Sequence, residues 1–287
     1  MATREGQRIS IVTPNFNMAR YLSETMDSVF ANLRLGDEYF IIDGASTDES
    51  VEVIRKYESR LTAWVSEPDG GYADALAKGF AQATGDILCW INAGDLLLPG
   101  ALDAARKAIS ERRADMIFGD DFYIDEDGRI IFLSRGYVQN LSFAMLYGGW
   151  TPLQDACFWT RDLYRRVGGI DPTLHHAADY DLFLRMALRG TCRYVPITFS
   201  SFRQHRGQKS IAGSEAYRVE KEQVRRREMA RSSEAAVRKL LFRLWHEVAI
   251  RWRIYVLQRR WRRDDLAGRP VSTMPCRQYW PIEAGAG

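Results

Sequence analysis

Short apolar runs alternate with amphipathic segments through the first hundred residues. Arg8 to Thr13 (RISIVT) is a β-branched run stopped by Pro14, and Ser23 to Ala31 follows, with Leu22, Met26, Val29 and Phe30 at helical spacing. Tyr39 to Ile42 repeats the strand signal, and Val51, Ile54 and Tyr57 repeat the helical one. Thr62 to Ser66 reads as a third strand and the Ala-rich stretch Tyr72 to Ala83 as a third helix. Ile87 to Ile91 is too short for a free-standing helix and reads as a strand buried on both faces. This alternation predicts an α/β fold: a mostly parallel central sheet, helices on both faces and right-handed crossovers.

Further on, a helix over Ala101 to Ser110 leads into the strand MIFGDDFYI. Its Asp120 and Asp121 either approach a ligand or open the hairpin turn Asp125-Glu126-Asp127-Gly128, and the turn is the favoured reading. Ile130 to Ser134 is the return strand, and the polar start at His175-His176 runs into a helix bearing Leu182, Leu184, Met186 and Leu188. Near the end, Val237, Leu241, Leu244, Val248 and Trp252 recur every three or four residues along an Arg-rich segment, predicting a basic amphipathic helix. Arg269 to Gly287 reads as an irregular end.

Charge divides the chain. The net value is +3, yet from Ser214 onward there are 17 Lys or Arg against 9 Asp or Glu, leaving the preceding part acidic. The expected division is a catalytic domain over 1–213 and a basic helical extension over 214–287. The extension's stripe packs on the domain or a second subunit, or it lies on an anionic membrane. Nucleic acid is not expected, because no recognition motif accompanies the charge. Cys89, Cys157, Cys192 and Cys276 have no metal-site spacing and suit reduced thiols. The charged start MATREGQRIS argues against a signal peptide, so a cytoplasmic location is expected, peripheral on the membrane if the tail binds lipid.

Open α/β sheets bind ligands beyond the carboxyl ends of their strands. Thr13-Pro14-Asn15, Asp43 and Asn92-Ala93-Gly94-Asp95 all follow strand ends, so they are expected to meet at one edge. Alone, Asp43 to Asp48 would pass for a turn with a helix cap. Three such loops together favour a nucleotide site. Asp179 and Asp181 stand near a helix start, where capping is the ordinary role.

The ordered series TPNFN, IIDGASTDES, SEPDGGYADALAKGFAQATGDILCWINAGD and HHAADYDLFLRMALRG resembles the motifs of family 2 glycosyltransferases with the GT-A fold, over roughly residues 8 to 213. The resemblance implies an inverting transfer from a nucleotide-diphosphate sugar to an acceptor hydroxyl, a glycan or a lipid-linked sugar, in bacterial surface polysaccharide or glycolipid synthesis. On the donor side it implies Thr13, Pro14, Asn15, Asp43, Asp69, Lys78, Asn92 and Asp95, with Arg206 and Lys209 on the diphosphate. Trp150, Gln154 and His176 fall on the acceptor side, although tryptophan is also an ordinary core residue.

The DxD-like element carries a single acid here. Asp95 is expected to hold Mn²⁺ or Mg²⁺, hard cations suited to carboxylate and phosphate oxygens, with His205 as a second ligand. Asp179 matches the base of the family's DxDLxxR pattern, and Asp181 is read as structural, pairing with backbone or Arg185. The depleted acidic element leaves a second reading, a catalytically silent sugar-nucleotide or glycan-binding module. A nucleotidyltransferase is disfavoured because it would not need the Asp179 segment. A homo-oligomer is compatible with either.

Overall fold

A computed structural model describes residues 6–205, 214–231, 262–263 and 266–279. The first half alternates as the periodicity predicts: β1 (Ile9–Asn15), α1 (Ala19–Phe30), β2 (Glu38–Asp43), α2 (Ser50–Tyr57), β3 (Ala63–Ser66), α3 (Tyr72–Gln82) and β4 (Ile87–Trp90). After these come β5 (Leu96–Leu97), α4 (Ala101–Arg112), β6 (Met116–Ile124), β7 (Ile130–Ser134), α5 (Leu141–Gly148), β8 (Cys157–Thr160) and α6 (Arg161–Arg166). The series closes with α7 (Ala178–Arg189), β9 (Cys192–Arg203), α8 (Ser214–Arg231) and β10 (Arg262–Arg263).

The sheet runs β10-β7-β6-β8-β4-β1-β2-β3, with β9 paired to β6 and β5. From β3 to β4 every pairing is parallel. Beyond β4 the sheet is mixed rather than mostly parallel: β8 runs antiparallel to β4 and β6, while β6 and β9 are parallel with two register shifts. The hairpin at Asp125 to Gly128 adds the antiparallel β6–β7 pair, returning the chain without a crossover helix.

Strand periodicity builds two cores. Val12, Phe40, Ile42, Leu88 and Trp90 face α3, α5 and α7, while Ile9, Ile11, Tyr39, Ile41, Ile87 and Cys89 face α1 and α4. Trp90 stacks on Phe183 of α7 at 5.6 Å and meets Trp159 edge-on, so the helix that carries Asp179 is anchored directly on β4. The four cysteines are free.

Two parts of the region after Ser214 pack on the domain. α8 lies against α5 and α7, and its Val224 is buried in the same core. The described part of the segment read as an irregular end, residues 269–279, is a strap: Val271 and Met274, with Leu266 just before it, are buried with Leu96, Phe122, Ile130 and Leu133 in a third cluster. Residue 277 bridges Thr198 of β9. The amphipathic stripe Val237 to Trp252, with its membrane and subunit readings, lies outside the described residues. No described helix is long and apolar enough to cross a membrane.

Candidate active site

The ends of β1, β2 and β4 form one edge, as expected, because Asn15 pairs with Asp43 in register and Ala93 N donates to Pro14 O. Asp43 is fully buried there and its carboxylate is filled from within. Oδ1 accepts Asn15 Nδ2 at 2.6 Å and Ser46 Oγ at 2.5 Å, and Oδ2 accepts Ser46 N at 3.0 Å and Ser66 Oγ at 2.6 Å. Thr13 is turned inward onto Tyr39 Oη at 3.0 Å, and Pro14 is buried. Asp69 rises from the next loop and binds Gly71 N at 2.8 Å. A Cβ on Gly44 would stand 2.9 Å from the Asp69 carboxylate, so glycine allows the second and third loops to touch. Lys78 is turned aside to Glu67 at 2.9 Å and Asp74 at 3.4 Å, on the flank of α3.

Asp95 is only 3% exposed. Its Oδ1 accepts Arg203 N at 3.0 Å and its Oδ2 accepts Asn92 Nδ2 at 3.2 Å. Gly94 holds φ at +110°, a conformation that L side chains rarely adopt, and this tight turn aims Asp95 inward. Arg203, fully buried, closes the loop: Nε donates to Gly94 O at 2.9 Å, Nη1 to Glu126 O at 2.8 Å and Nη2 to Glu24 at 2.6 Å. Asn92 also reaches Gln154 at 2.8 Å, and Gln154 donates to Trp90 O at 2.9 Å. Gln154, expected on the acceptor side, thus belongs to the strand-end network.

Two acids the sequence reading did not place in the site lie beside Asp95. Asp121 and Asp155 are buried and meet carboxyl to carboxyl, and neither Oδ2 receives a donor from another group. Ser200 Oγ supplies Asp121 Oδ1 at 3.1 Å. Burial, then the charge of Asp155, lifts both Asp95 and Asp121 well above the ordinary carboxylate range, and burial pushes Asp155 up to about 6. Asp120, by contrast, is structural, accepting Gly136 N at 2.9 Å and Tyr194 Oη at 2.9 Å. Alternation along β6 signals that Asp120 and Asp121 point to opposite faces, but only the β6–β9 pairing reveals what each one meets.

These residues do not by themselves compose a metal site. Both Asp95 oxygens have protein donors, and among the described residues no group of three His, Cys, Asp or Glu side chains converges as ligands. His205 stands at the same corner, its ring 5.6 Å from that of Tyr21, on which the Arg203 guanidinium also rests. Burial lowers its pKa, so the ring stays neutral at physiological pH. Arg206 and Lys209 lie outside the described residues.

Asp179 is differently placed. It sits in the first turn of α7, and its Oδ1 is shielded from solvent with no hydrogen-bond partner. Burial pushes its pKa up to about 6, against the opposing Tyr180 N–H and the charge of Lys221. Tyr72 of α3 ties down the turn, donating to His176 O at 3.1 Å and accepting Ala178 N at 2.9 Å. Asp181, buried, is bound by Arg185 and Arg227 and is structural, as read. His176 meets the site through its backbone: its N–H goes to Glu220 at 2.7 Å. Trp150 is half-buried against the core, 6.1 Å from Phe118, and its neighbour Thr151 meets Lys221 at 3.1 Å. Glu220 and Lys221 lie outside every quoted motif, and Tyr72 lies inside one without being singled out; packing brings all three to the Asp179 turn.

The three strand-end loops at one sheet edge thus stand beside a helix start bearing a shielded carboxylate. The profile described as "Glycosyl transferase family 2" matches residues 10–168. An uncharacterized glycosyltransferase of Mycobacterium tuberculosis is 32% identical over 194 residues, 66% of this chain and 71% of that protein. A PGL/p-HBAD biosynthesis glycosyltransferase of Mycobacterium bovis is 25% identical over 88% of this chain and 97% of its own length. Among solved structures, the mannosyltransferase PcManGT of Pyrobaculum calidifontis, in complex with GDP-Man and Mn²⁺, superposes with TM-score 0.59 at 19% identity, covering 85% of this chain and 70% of that one. TarS 1-349 of S. aureus in complex with UDP-GlcNAc gives TM-score 0.58 at 17% identity over 70% of this chain, which spans 60% of the TarS chain. The structural likenesses establish the GT-A fold, and the profile match establishes the lineage: the chain belongs to glycosyl transferase family 2 and is a glycosyltransferase.

Proposed function

We propose that the enzyme transfers a sugar with inversion from a nucleotide-diphosphate sugar to an acceptor hydroxyl, and that Asp179 is the general base. The observation that carries this reading is the bare Oδ1 of Asp179. A carboxyl with its pKa near 6 is mostly ionised at neutral pH yet basic enough to accept a proton as the hydroxyl becomes nucleophilic. In a single displacement the acceptor oxygen bonds to the anomeric carbon, the bond from that carbon to the diphosphate oxygen breaks, and the hydroxyl proton passes to Asp179. The loops at Thr13, Asp43 and Asp69 form the donor edge. On this reading Asp43 shapes the base pocket with Asn15, Ser46 and Ser66, and its own carboxylate is already filled.

A divalent cation, Mn²⁺ or Mg²⁺, is proposed to arrive with the donor, drawing its oxygens mainly from the diphosphate, since Asp95 is engaged by Arg203 and Asn92. Two relatives support an acceptor in surface polysaccharide or glycolipid synthesis: a chondroitin synthase of Pasteurella multocida, 24% identical over 65% of this chain and 20% of its own length, and the M. bovis enzyme. Thermal stabilisation across a panel of UDP- and GDP-sugars, each with and without Mn²⁺, identifies the donor. Asp179→Asn should then keep that stabilisation and lose transfer. Transfer at the parental rate in Asp179→Asn would remove Asp179 as base.

A further inference from the structure

Three side chains of α8 converge on the start of α7. The Glu220 carboxylate accepts three successive backbone N–H groups, from His175 at 3.0 Å, His176 at 2.7 Å and Ala177 at 2.5 Å. α7 has no side-chain cap of its own, since its N-cap is Ala177, so Glu220 takes the Ala177 N–H together with two N–H groups of the turn before it, and Tyr72 Oη takes that of Ala178. Glu220 also places negative charge at the positive end of the helix dipole. The next residue, Lys221, is half-buried with Nζ 3.1 Å from Thr151 Oγ1, 4.7 Å from the Tyr180 ring and 5.3 Å from the Tyr217 ring. Tyr217 Oη lies 3.3 Å from the same Thr151 hydroxyl. A lysine held by one hydroxyl between two aromatic faces has little freedom to leave, and an amphipathic charge so enclosed is uncommon unless something nearby needs it.

We propose that α8 is a working part of the active site: Glu220 fixes the turn that carries Asp179, and Lys221 is a positioning residue that holds a cation beside the Asp179 carboxylate. The inference rests on the reading of Asp179 as the base.

Among the described residues the titratable groups acting on Asp179 are Tyr72 from α3, Cys157 from β8, and Tyr217, Glu220 and Lys221 from α8, with the Tyr180 N–H beside them. Burial raises Asp179 and Glu220 adds to the rise, while among the described residues Lys221 is the side-chain charge that lowers it. Lys221 is itself pulled down by burial and held up by Asp179, the reciprocal effect expected of two charges that act on each other. Without Lys221 the base would stay protonated to higher pH and fewer molecules would be competent at neutrality.

The test is a pH titration of Asp carboxyl resonances in the ¹³C-aspartate-labelled full chain, with the Asp179 signal assigned by its loss in Asp179→Asn. Lys221→Met should raise the Asp179 midpoint by about one unit, a tenfold weaker acid. Lys221→Arg should bring the midpoint back. Should Lys221→Met not fold, Lys221→Gln takes its place, keeping a donor for Thr151 while removing the charge. An unmoved midpoint, or a shift that Lys221→Arg does not reverse, overturns the proposal. The readout needs no substrate, so it separates from the reading beneath it. If Asp179→Asn retains sugar transfer, the base assignment falls; if Asp179→Asn abolishes transfer while Lys221→Met leaves the midpoint unchanged, only the role of Lys221 falls.

Discussion

Two carboxylates singled out by the same kind of motif have opposite surroundings. On the donor edge, Asp95 has a donor on each oxygen, as Asp43 has two on each of its own. On the acceptor side, Asp179 keeps one oxygen with no partner although it is shielded from water. Leaving a buried acceptor unmade costs free energy, about 1–3 kcal/mol, so folding alone does not explain it. The bare oxygens of Asp121 and Asp155 belong to carboxyls that meet each other, whereas Asp179 has no such carboxyl partner. The contrast divides labour within one sheet edge, and it can be broken at several points.

The largest effect is expected where the carboxylate is bare. Asp179→Asn preserves shape and removes the proton acceptor, so transfer should fall about 10²- to 10⁴-fold while donor-induced stabilisation persists. In the parent the transfer rate should climb with pH through about 6, as the carboxyl ionises. A flat profile between pH 5 and 7 would contradict the assignment.

Next comes the residue that saturates the other side. Arg203→Met removes the guanidinium that ties Gly94, Glu126 and Glu24 together, leaving buried carbonyls without donors. A loss of about 3 kcal/mol in urea unfolding is expected. Loss of stability below about 1 kcal/mol would mean that the Asp95 loop is held by its backbone alone.

A smaller, pH-dependent effect belongs to Asp155. Its carboxyl is raised to about 6 in the folded chain, above the ordinary carboxylate value near 4. The folded state therefore retains a proton that the unfolded chain has released, and stability falls as pH rises from about 4 to above 6. Asp155→Asn supplies an amide donor to Asp121 without the charge, so it should flatten that slope and stabilise the fold above pH 7 by about 2 kcal/mol. Denaturation midpoints at pH 5 and pH 8 that differ as much in the variant as in the parent would refute the shared-proton pair.

How much of this was legible in the sequence follows from the range of the interactions. Alternating runs gave β1 to β4 and their helices because those elements depend on local periodicity. The same periods placed Asp43, Asp95 and Asp179 at element ends, where the structure has them. Orientation was not legible. Asp95 turns inward because Arg203, over a hundred residues later, donates to it and to its neighbour Gly94. Asp155 meets Asp121 only through the long β6–β9 pairing and the turn before β8. The resemblance put Lys78 on the donor side, while its ion pairs with Glu67 and Asp74 depend on how α3 and the loop before it pack. The charge-based division at Ser214 separated α8 from a core that its Val224 joins, since composition reports solvent-facing residues and not the buried stripe.

The smallest expected change is the most direct probe of the saturated edge. Asp95 is buried with one hydrogen bond on each oxygen, and no three-ligand set converges among the described residues, so Mn²⁺ alone meets a single enclosed carboxylate there. One carboxylate supplies too few oxygens for a cation that takes six or more ligands, so most of its shell has to come from water or phosphate. Millimolar Mn²⁺ or Mg²⁺ without nucleotide should therefore move the melting temperature by less than about 1 °C, since stabilisation of about 2.7 kcal/mol requires metal at a hundredfold excess over its dissociation constant. The same metal added with a bound nucleoside diphosphate should stabilise further, because the phosphate oxygens supply ligands that the chain does not. A rise of several degrees with Mn²⁺ alone, lost in Asp95→Asn, would show that the carboxylate opens readily and that the two sides of the active site differ less than their hydrogen bonds imply.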